Sequence, residues 1–278
     1  MVKRFRGGAV GESEYRSRTW AGAAFFTSRQ QHGDLTIAVK RFPQRDGVDP
    51  AAETLTFVMV PGIGVSSRYF QPLAAELARR GRVFLVDLPG YGAAPNPRRD
   101  VPLTGHADVL AGFLRESGIE NPVLVGHSMG SEVVAILAER DRDVSDRIVL
   151  MAPTLEPRNR TRAAAIRKLL RDSLREPPRV VAISVTDYLL RCWPPYLFIQ
   201  LRHMLADRLE DRMSAITARA LVVTGDRDPI ARVTWAAALA GLAPDAELRV
   251  VQGPHVIMHT DPTTVARHVV EFADAVRA

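Results

Sequence analysis

The stretch LVGHSMGSEVV, from Leu124 to Val134, places Ser128 between Gly126 and Gly130 at the point where an apolar run ends and a helical pattern begins. A strand that turns into a helix within one or two residues brings backbone against backbone, so the flanking positions must be small. A serine at the apex is then held in a strained conformation and projects from the end of the strand. A glycine-rich turn with an incidental serine has the same local pattern. The rest of the chain has to separate the two readings.

The segments around this turn repeat its strand-to-helix order. RVFLVDL (82–88), PVLVG (122–126), RIVLMAP (147–153), ARALVVTG (218–225) and AELRVVQG (246–253) are apolar runs of buried-strand type. Helical stretches stand among them, around His106–Glu116 and at SEVVAILAER (131–140), TWAAALAGL (234–242) and TTVARHVVEFADAVRA (263–278). Such alternation predicts an α/β fold with a mostly parallel, doubly wound sheet covered by helices on both faces. Three earlier segments, WAGAAFFTSR, LTIAVKRF and TLTFVMV, are separated by turn signals at Gly33-Asp34 and PQRDGVDP, and extend it to a mixed sheet. Residues 155–217 break the alternation with helical patterns interrupted by Pro177-Pro178 and Pro194-Pro195. They read as a helical lid inserted into a core of residues 1–154 and 218–278.

Composition removes several function classes. The chain has 278 residues and a net charge of +6, but its Arg residues are scattered, and no basic helix interleaved with aromatics suggests nucleic-acid binding. Cys192 is the single cysteine, so no intramolecular disulfide and no cysteine zinc cluster can form. Lys3, Arg4 and Arg6 are followed by WAGAAFF, which is too short for a signal sequence. No run reaches the ~20 apolar residues that span a bilayer, so the chain reads as soluble and cytoplasmic. Monomer and homodimer both remain open.

A serine nucleophile needs a base, and the base needs an orienting acid. TGDRDPI ends one strand with Asp226 and Asp228, and GPHVIMH ends the next with His255 and His259. The order Ser, Asp, His at strand ends fits a triad. His255 and His259 also have the spacing of a zinc pair, but Val256 stands where H-E-x-x-H needs glutamate. Asp87 reads as a turn cap. VPGIGVSS lacks the last glycine of a dinucleotide loop, because Ser67 stands there.

With VPGIG, VDLPGYG, VGHSMG, TGDRDPI and GPHVIMHTDP in place, the chain from about residue 54 onward resembles the α/β-hydrolase superfamily. The resemblance implies Ser128 as nucleophile, His255 as general base and Asp228, before Pro229-Ile230, as its acid. It implies the backbone N–H groups of Ile63 and Met129 as oxyanion donors, no cofactor and no metal. Pro61 departs from the His-Gly that many relatives carry before this loop. Trp193, Tyr196 and Phe198 either line a substrate pocket or pack the lid onto the sheet. The activity implied is hydrolysis of a small-molecule carboxylic ester, thioester or lactone. Carbon–carbon bond hydrolysis or cofactor-free perhydrolysis would use the same triad, and a non-enzymatic receptor on the same fold is the alternative of another class.

Overall fold

Successive residues of Leu55–Val60 (β4) bury into opposite cores, Phe57 and Met59 on one side and Val58 and Val60 on the other. A strand apolar throughout is explained by this, since both of its faces are covered. The computed structural model describes residues 16–20, 23–45 and 55–275. Its other strands are β1 (Arg16–Trp20), β2 (Ala23–His32), β3 (Leu35–Phe42), β5 (Gly81–Asp87), β6 (Val123–His127), β7 (Arg147–Met151), β8 (Arg219–Gly225) and β9 (Ala246–Val251). They form one sheet in the order β1-β2-β3-β5-β4-β6-β7-β8-β9. β1, β2 and β3 run antiparallel to their neighbours, and every pairing from β5 to β9 is parallel.

The helices are α1 (Gln71–Leu77), α2 (Leu103–Glu116), α3 (Met129–Arg140), α4 (Arg162–Ser173), α5 (Pro178–Leu190), α6 (Pro194–Ala206), α7 (Leu209–Met213), α8 (Val233–Leu242), α9 (Ile257–Thr260) and α10 (Pro262–Ala275). α2, α3 and α8 bury Leu110, Val133 and Leu239 against one face of the sheet. α1 and α10 bury Leu73 and Val269 against the other. Four helices, α4 to α7, stand between β7 and β8. The two proline pairs open α5 and α6 rather than interrupting helices. Proline suits a first turn, where its missing N–H leaves no bond unmade.

Two expected segments differ from the structure. WAGAAFFTSR is not one strand: β1 ends at Trp20 and β2 starts at Ala23, forming an antiparallel pair. The turn at PQRDGVDP and the basic residues Lys3, Arg4 and Arg6 lie wholly or partly outside the described residues.

The sheet changes direction at β4, which has β5 on one side and β6 on the other. In open α/β sheets such a switch point leaves a crevice at the strand C-termini. The loop after β4 and the turn after β6 meet there, and a Cβ on Gly62 would lie 3.2 Å from that of Ser128. Ser128 has φ 53° and ψ −122°, an uncommon backbone conformation for a residue with a side chain. Its N–H donates to the Met151 carbonyl at 3.1 Å. Both flanking glycines are required by contact: a Cβ on Gly126 would sit 2.3 Å from the Gly130 carbonyl oxygen, and one on Gly130 would sit 2.2 Å from that of Val60.

Gly126→Ala and Gly130→Ala should therefore each destabilise the fold by at least about 1–3 kcal/mol, the usual scale of an overpacked core. Gly241→Ala, in α8 with open space around it, should instead gain up to about 1 kcal/mol. Thermal unfolding of the three variants checks this. Unchanged stability in Gly126→Ala would contradict the close approach of α3 to β6.

Candidate active site

Ser128 and His255 line one cavity of about 70 Å3, together with Gly62, Ile63, Tyr69 and residues of α4 and α5. Both are buried, as is Asp228. His255 follows β9 on the loop before α9, and its Nδ1 lies 2.7 Å from Asp228 Oδ2. The other carboxylate oxygen of Asp228 accepts the N–H groups of Ile230 at 2.6 Å and Ala231 at 3.0 Å. The acid is thus held from its far side and presents one oxygen to the imidazole. Burial disfavours the His255 imidazolium, but the nearby carboxyls of Asp228, Asp172 and Glu176 outweigh it and raise the pKa to about 9.

Asp226 and His259 are placed otherwise. Asp226 Oδ1 accepts the Gly253 N–H at 2.8 Å and braces the loop before His255. His259 Nδ1 donates to the Tyr69 carbonyl at 3.3 Å. Asp87 is fully buried, 3.0 Å from Lys40 Nζ, and accepts the N–H groups of Ser67 and Ala93. It fastens the loops after β4 and β5. Ile63 lines the cavity wall, and Met129 opens α3, where its N–H has no partner within the helix.

The three aromatic residues expected either at the substrate or in lid packing do not line this cavity. Trp193 and Phe198 are 56% and 58% exposed. Tyr196 is buried against Tyr91, and its hydroxyl donates to the Pro89 carbonyl at 3.2 Å. Its ring fills the space beside Gly90, so it joins the inserted helices to the core. The polar wall of the cavity comes from α4, α5 and the residues between them, not from α6.

Five residues that sequence reasoning did not single out complete the surroundings. The Gly62 N–H donates to the Tyr69 hydroxyl at 2.8 Å, and that hydroxyl donates to His127 Nδ1 at 2.9 Å. His127 Nε2 then donates to the His255 carbonyl at 3.2 Å. The direction of this chain follows from its last acceptor: the His255 carbonyl can only accept, so neutral His127 carries its proton on Nε2 and takes one from Tyr69 at Nδ1. Burial holds His127 neutral, with its pKa well below the usual range. The relay ties the loop after β4 to the loop carrying His255, and thus supplies bracing where Pro61 replaces a histidine.

Asp172 and Glu176, from α4 and the residues just after it, and Tyr188 of α5 form the opposite wall. Asp172 is 2% exposed and accepts the His255 N–H at 3.3 Å. Burial raises the Asp172 and Glu176 carboxyls; their shared hydrogen bond offsets part of this at Asp172 and adds to it at Glu176, which is pushed up to about 8. A smaller apolar pocket of about 20 Å3, lined by Leu155, Ala165, Leu169, Met204 and Ile230, also reaches Ser128. Asp187 of α5 accepts the Ser66 N–H and hydroxyl at 2.8 and 2.6 Å, fixing the inserted helices to the loop after β4.

Comparison with known proteins identifies the family. Over 96 residues the chain is 36% identical to the pimeloyl-[acyl-carrier protein] methyl ester esterase of Chromobacterium violaceum, a match covering 34% of this chain and 35% of that protein. Over 149 residues it is 31% identical to mouse sn-1-specific diacylglycerol lipase ABHD11, covering 52% and 47%. Matches to curated relatives span between 28% and 47% of those proteins' lengths. A thermophilic esterase from Thermogutta terrifontis superposes with a TM-score of 0.74 at 19% identity, covering 97% of this chain and all of that one. The model of the alpha/beta hydrolase family matches residues 57–268, and with most of the sheet and every strand-end loop of the cavity inside that span, the chain belongs to the alpha/beta hydrolase family.

Proposed function

We propose that this hydrolase cleaves a carboxylic ester, thioester or lactone of a short acyl group through an acyl-enzyme intermediate on Ser128. One observation carries the reading. A serine in a strained strand-to-helix turn shares a small cavity with a histidine whose far nitrogen is 2.7 Å from a buried carboxylate. Relatives named as a methyl ester esterase and a diacylglycerol lipase support carboxylic ester chemistry.

In this mechanism His255 Nε2 takes the Ser128 proton as Oγ attacks the substrate carbonyl. Asp228 holds the imidazole in the tautomer that leaves Nε2 free to accept. The tetrahedral oxyanion lies between the N–H groups of Ile63 and Met129, helped by the positive end of α3. His255 returns the proton to the leaving oxygen or sulfur. Water, activated by the same histidine, then releases the acyl group. A cavity of about 70 Å3 with a 20 Å3 apolar recess is far below the roughly 300–1,000 Å3 of pockets that take drug-sized ligands. A short acyl chain fits it, with its tail against Leu155, Leu169 and Ile230. The helices between β7 and β8 act as a lid that sets this limit.

Hydrolysis of p-nitrophenyl acetate should fall ~10⁴-fold in Asp228→Asn, the scale known for the acid of a serine triad, and as far or further in Ser128→Ala and His255→Ala. Asp226→Asn and His259→Ala should stay within about tenfold, or 1.4 kcal/mol, of the wild type. Loss in Asp226→Asn with retention in Asp228→Asn would overturn the acid. Absence of turnover on acetate, butyrate, lactone and thioester probes by a folded wild-type protein would favour a receptor.

The carboxyls around His255 set a pH dependence. Acylation requires the neutral imidazole, so kcat/KM should rise with pH and level off only above the His255 pKa of about 9. Removing negative charge from its surroundings weakens the imidazolium, so Asp172→Asn and Glu176→Gln should each move the rising limb to lower pH. A pH–rate profile with an unmoved limb in both variants would show that these carboxyls do not act on His255.

A further inference from the structure

The inserted helices bury one side against the cavity and leave a different chemistry on the other. Eight of the ten large hydrophobic side chains exposed among the described residues lie in residues 162–206. On α4, Ile166, Leu170 and the capping Leu174 recur every fourth residue and form a single stripe, 44%, 65% and 88% exposed. Val185, Leu189 and Leu190 on α5, Trp193 just before α6 and Phe198 on it are exposed as well. A hydrolase that kept this surface only in water would pay for it in solubility, so something covers it.

Charge identifies the cover. Residues 162–206 hold eight Lys/Arg against three Asp/Glu, a surplus of five within a chain whose net charge is +6. The three acids do not face outward: Asp187 is fully buried on Ser66 and Arg68, Asp172 is 2% exposed, and Glu176 lines the cavity. Arg167, Arg171 and Arg175 are exposed and follow the same four-residue spacing, one position after the leucine stripe. Among the described residues they form no salt bridge. An apolar stripe bordered by a basic one matches the acyl boundary and headgroups of an anionic lipid surface. A second copy of the chain fits poorly, because a two-fold interface would set this arginine row against itself.

We propose that the outer face of α4 to α6 docks this hydrolase on anionic phospholipid bilayers. Leu170, Leu174 and Leu189 enter the acyl boundary, and Arg167, Arg171 and Arg175 pair with lipid phosphates. The docking is peripheral, since no described helix is long and apolar enough to cross a membrane. It holds the roof of the catalytic cavity at the lipid surface and does not depend on which ester is cleaved.

Co-sedimentation of the full chain with vesicles tests this. Vesicles of phosphatidylcholine with about one-third phosphatidylglycerol should bind at least tenfold more protein than phosphatidylcholine alone, and binding should weaken with salt. The variant Leu170→Ser/Leu174→Ser/Leu189→Ser should lose binding at least tenfold with an unchanged melting temperature, since all three side chains are exposed. Arg167→Gln/Arg171→Gln/Arg175→Gln should lose the preference for anionic vesicles. Wild-type protein left in the supernatant with both vesicles, or apolar-variant binding equal to wild type, would overturn the proposal. So would sedimentation velocity showing a wild-type dimer that the leucine variant dissolves, which would assign the face to a second copy.

Discussion

The close approach of α3 to the end of β6 governs the rest of this molecule. Gly126 and Gly130 let two backbones meet at a distance that any side chain would prevent. The chain can then leave the strand, pass through Ser128 at a positive φ, and start a helix within one residue. Residues held in such a conformation cost about 1–3 kcal/mol and persist only where the surroundings over-determine them. Here the surroundings are the Met151 carbonyl on the Ser128 N–H, the α3 face packed through Val133 and Val134, and the loop after β4 pressed against the serine at Gly62. Stability built in the core is used to hold one hydroxyl at the sheet edge.

A second layer of order runs beneath the cavity. Tyr69 and His127 are fully or nearly buried and contribute two acceptors and two donors in a row, leaving neither the Gly62 N–H nor the imidazole unsatisfied. Because a buried unpaired polar group costs about 1–3 kcal/mol, the relay resists small displacements of either loop. It therefore couples the loop after β4 to the loop carrying His255. The carboxyls of Asp228, Asp172 and Glu176 act on the same imidazole from two sides and favour its charged form against burial. An imidazolium is the species that forms as serine is deprotonated, so this arrangement suits the proposed chemistry at some expense of free base at neutral pH.

The α/β fold, the mixed sheet and the strand ends were legible because each rests on local pattern. LTIAVKRF matches β3 residue for residue, and the apolar runs fall on β4 to β9 within one or two positions. The juxtaposition of Asp228 with His255 was legible for the same reason, since both sit directly after strands. Tyr69, His127, Asp172, Glu176 and Tyr188 were not. Their roles arise where separate elements meet, and no spacing along the chain marks them. α5 was also hidden. Its residues alternate between a cavity lined by Val180, Ser184 and Tyr188 and an exposed face with Val185 and Leu189, so apolar positions occur on both sides and no polar stripe reveals the helix. Between pocket and packing the sequence left Trp193, Tyr196 and Phe198 undecided, because an aromatic in an inserted helix reads the same whether it faces inward or out; only Tyr196 is buried.

The claim at the centre is that the strained Ser128 is a base-activated nucleophile. Reaction with a fluorophosphonate, followed by intact-mass measurement and peptide mapping, tests it most directly, because only an activated serine beside oxyanion donors reacts readily. One adduct per chain on the peptide carrying Ser128, absent in Ser128→Ala and slow in His255→Ala, is the predicted result. Labelling of equal extent in wild type and Ser128→Ala would contradict it.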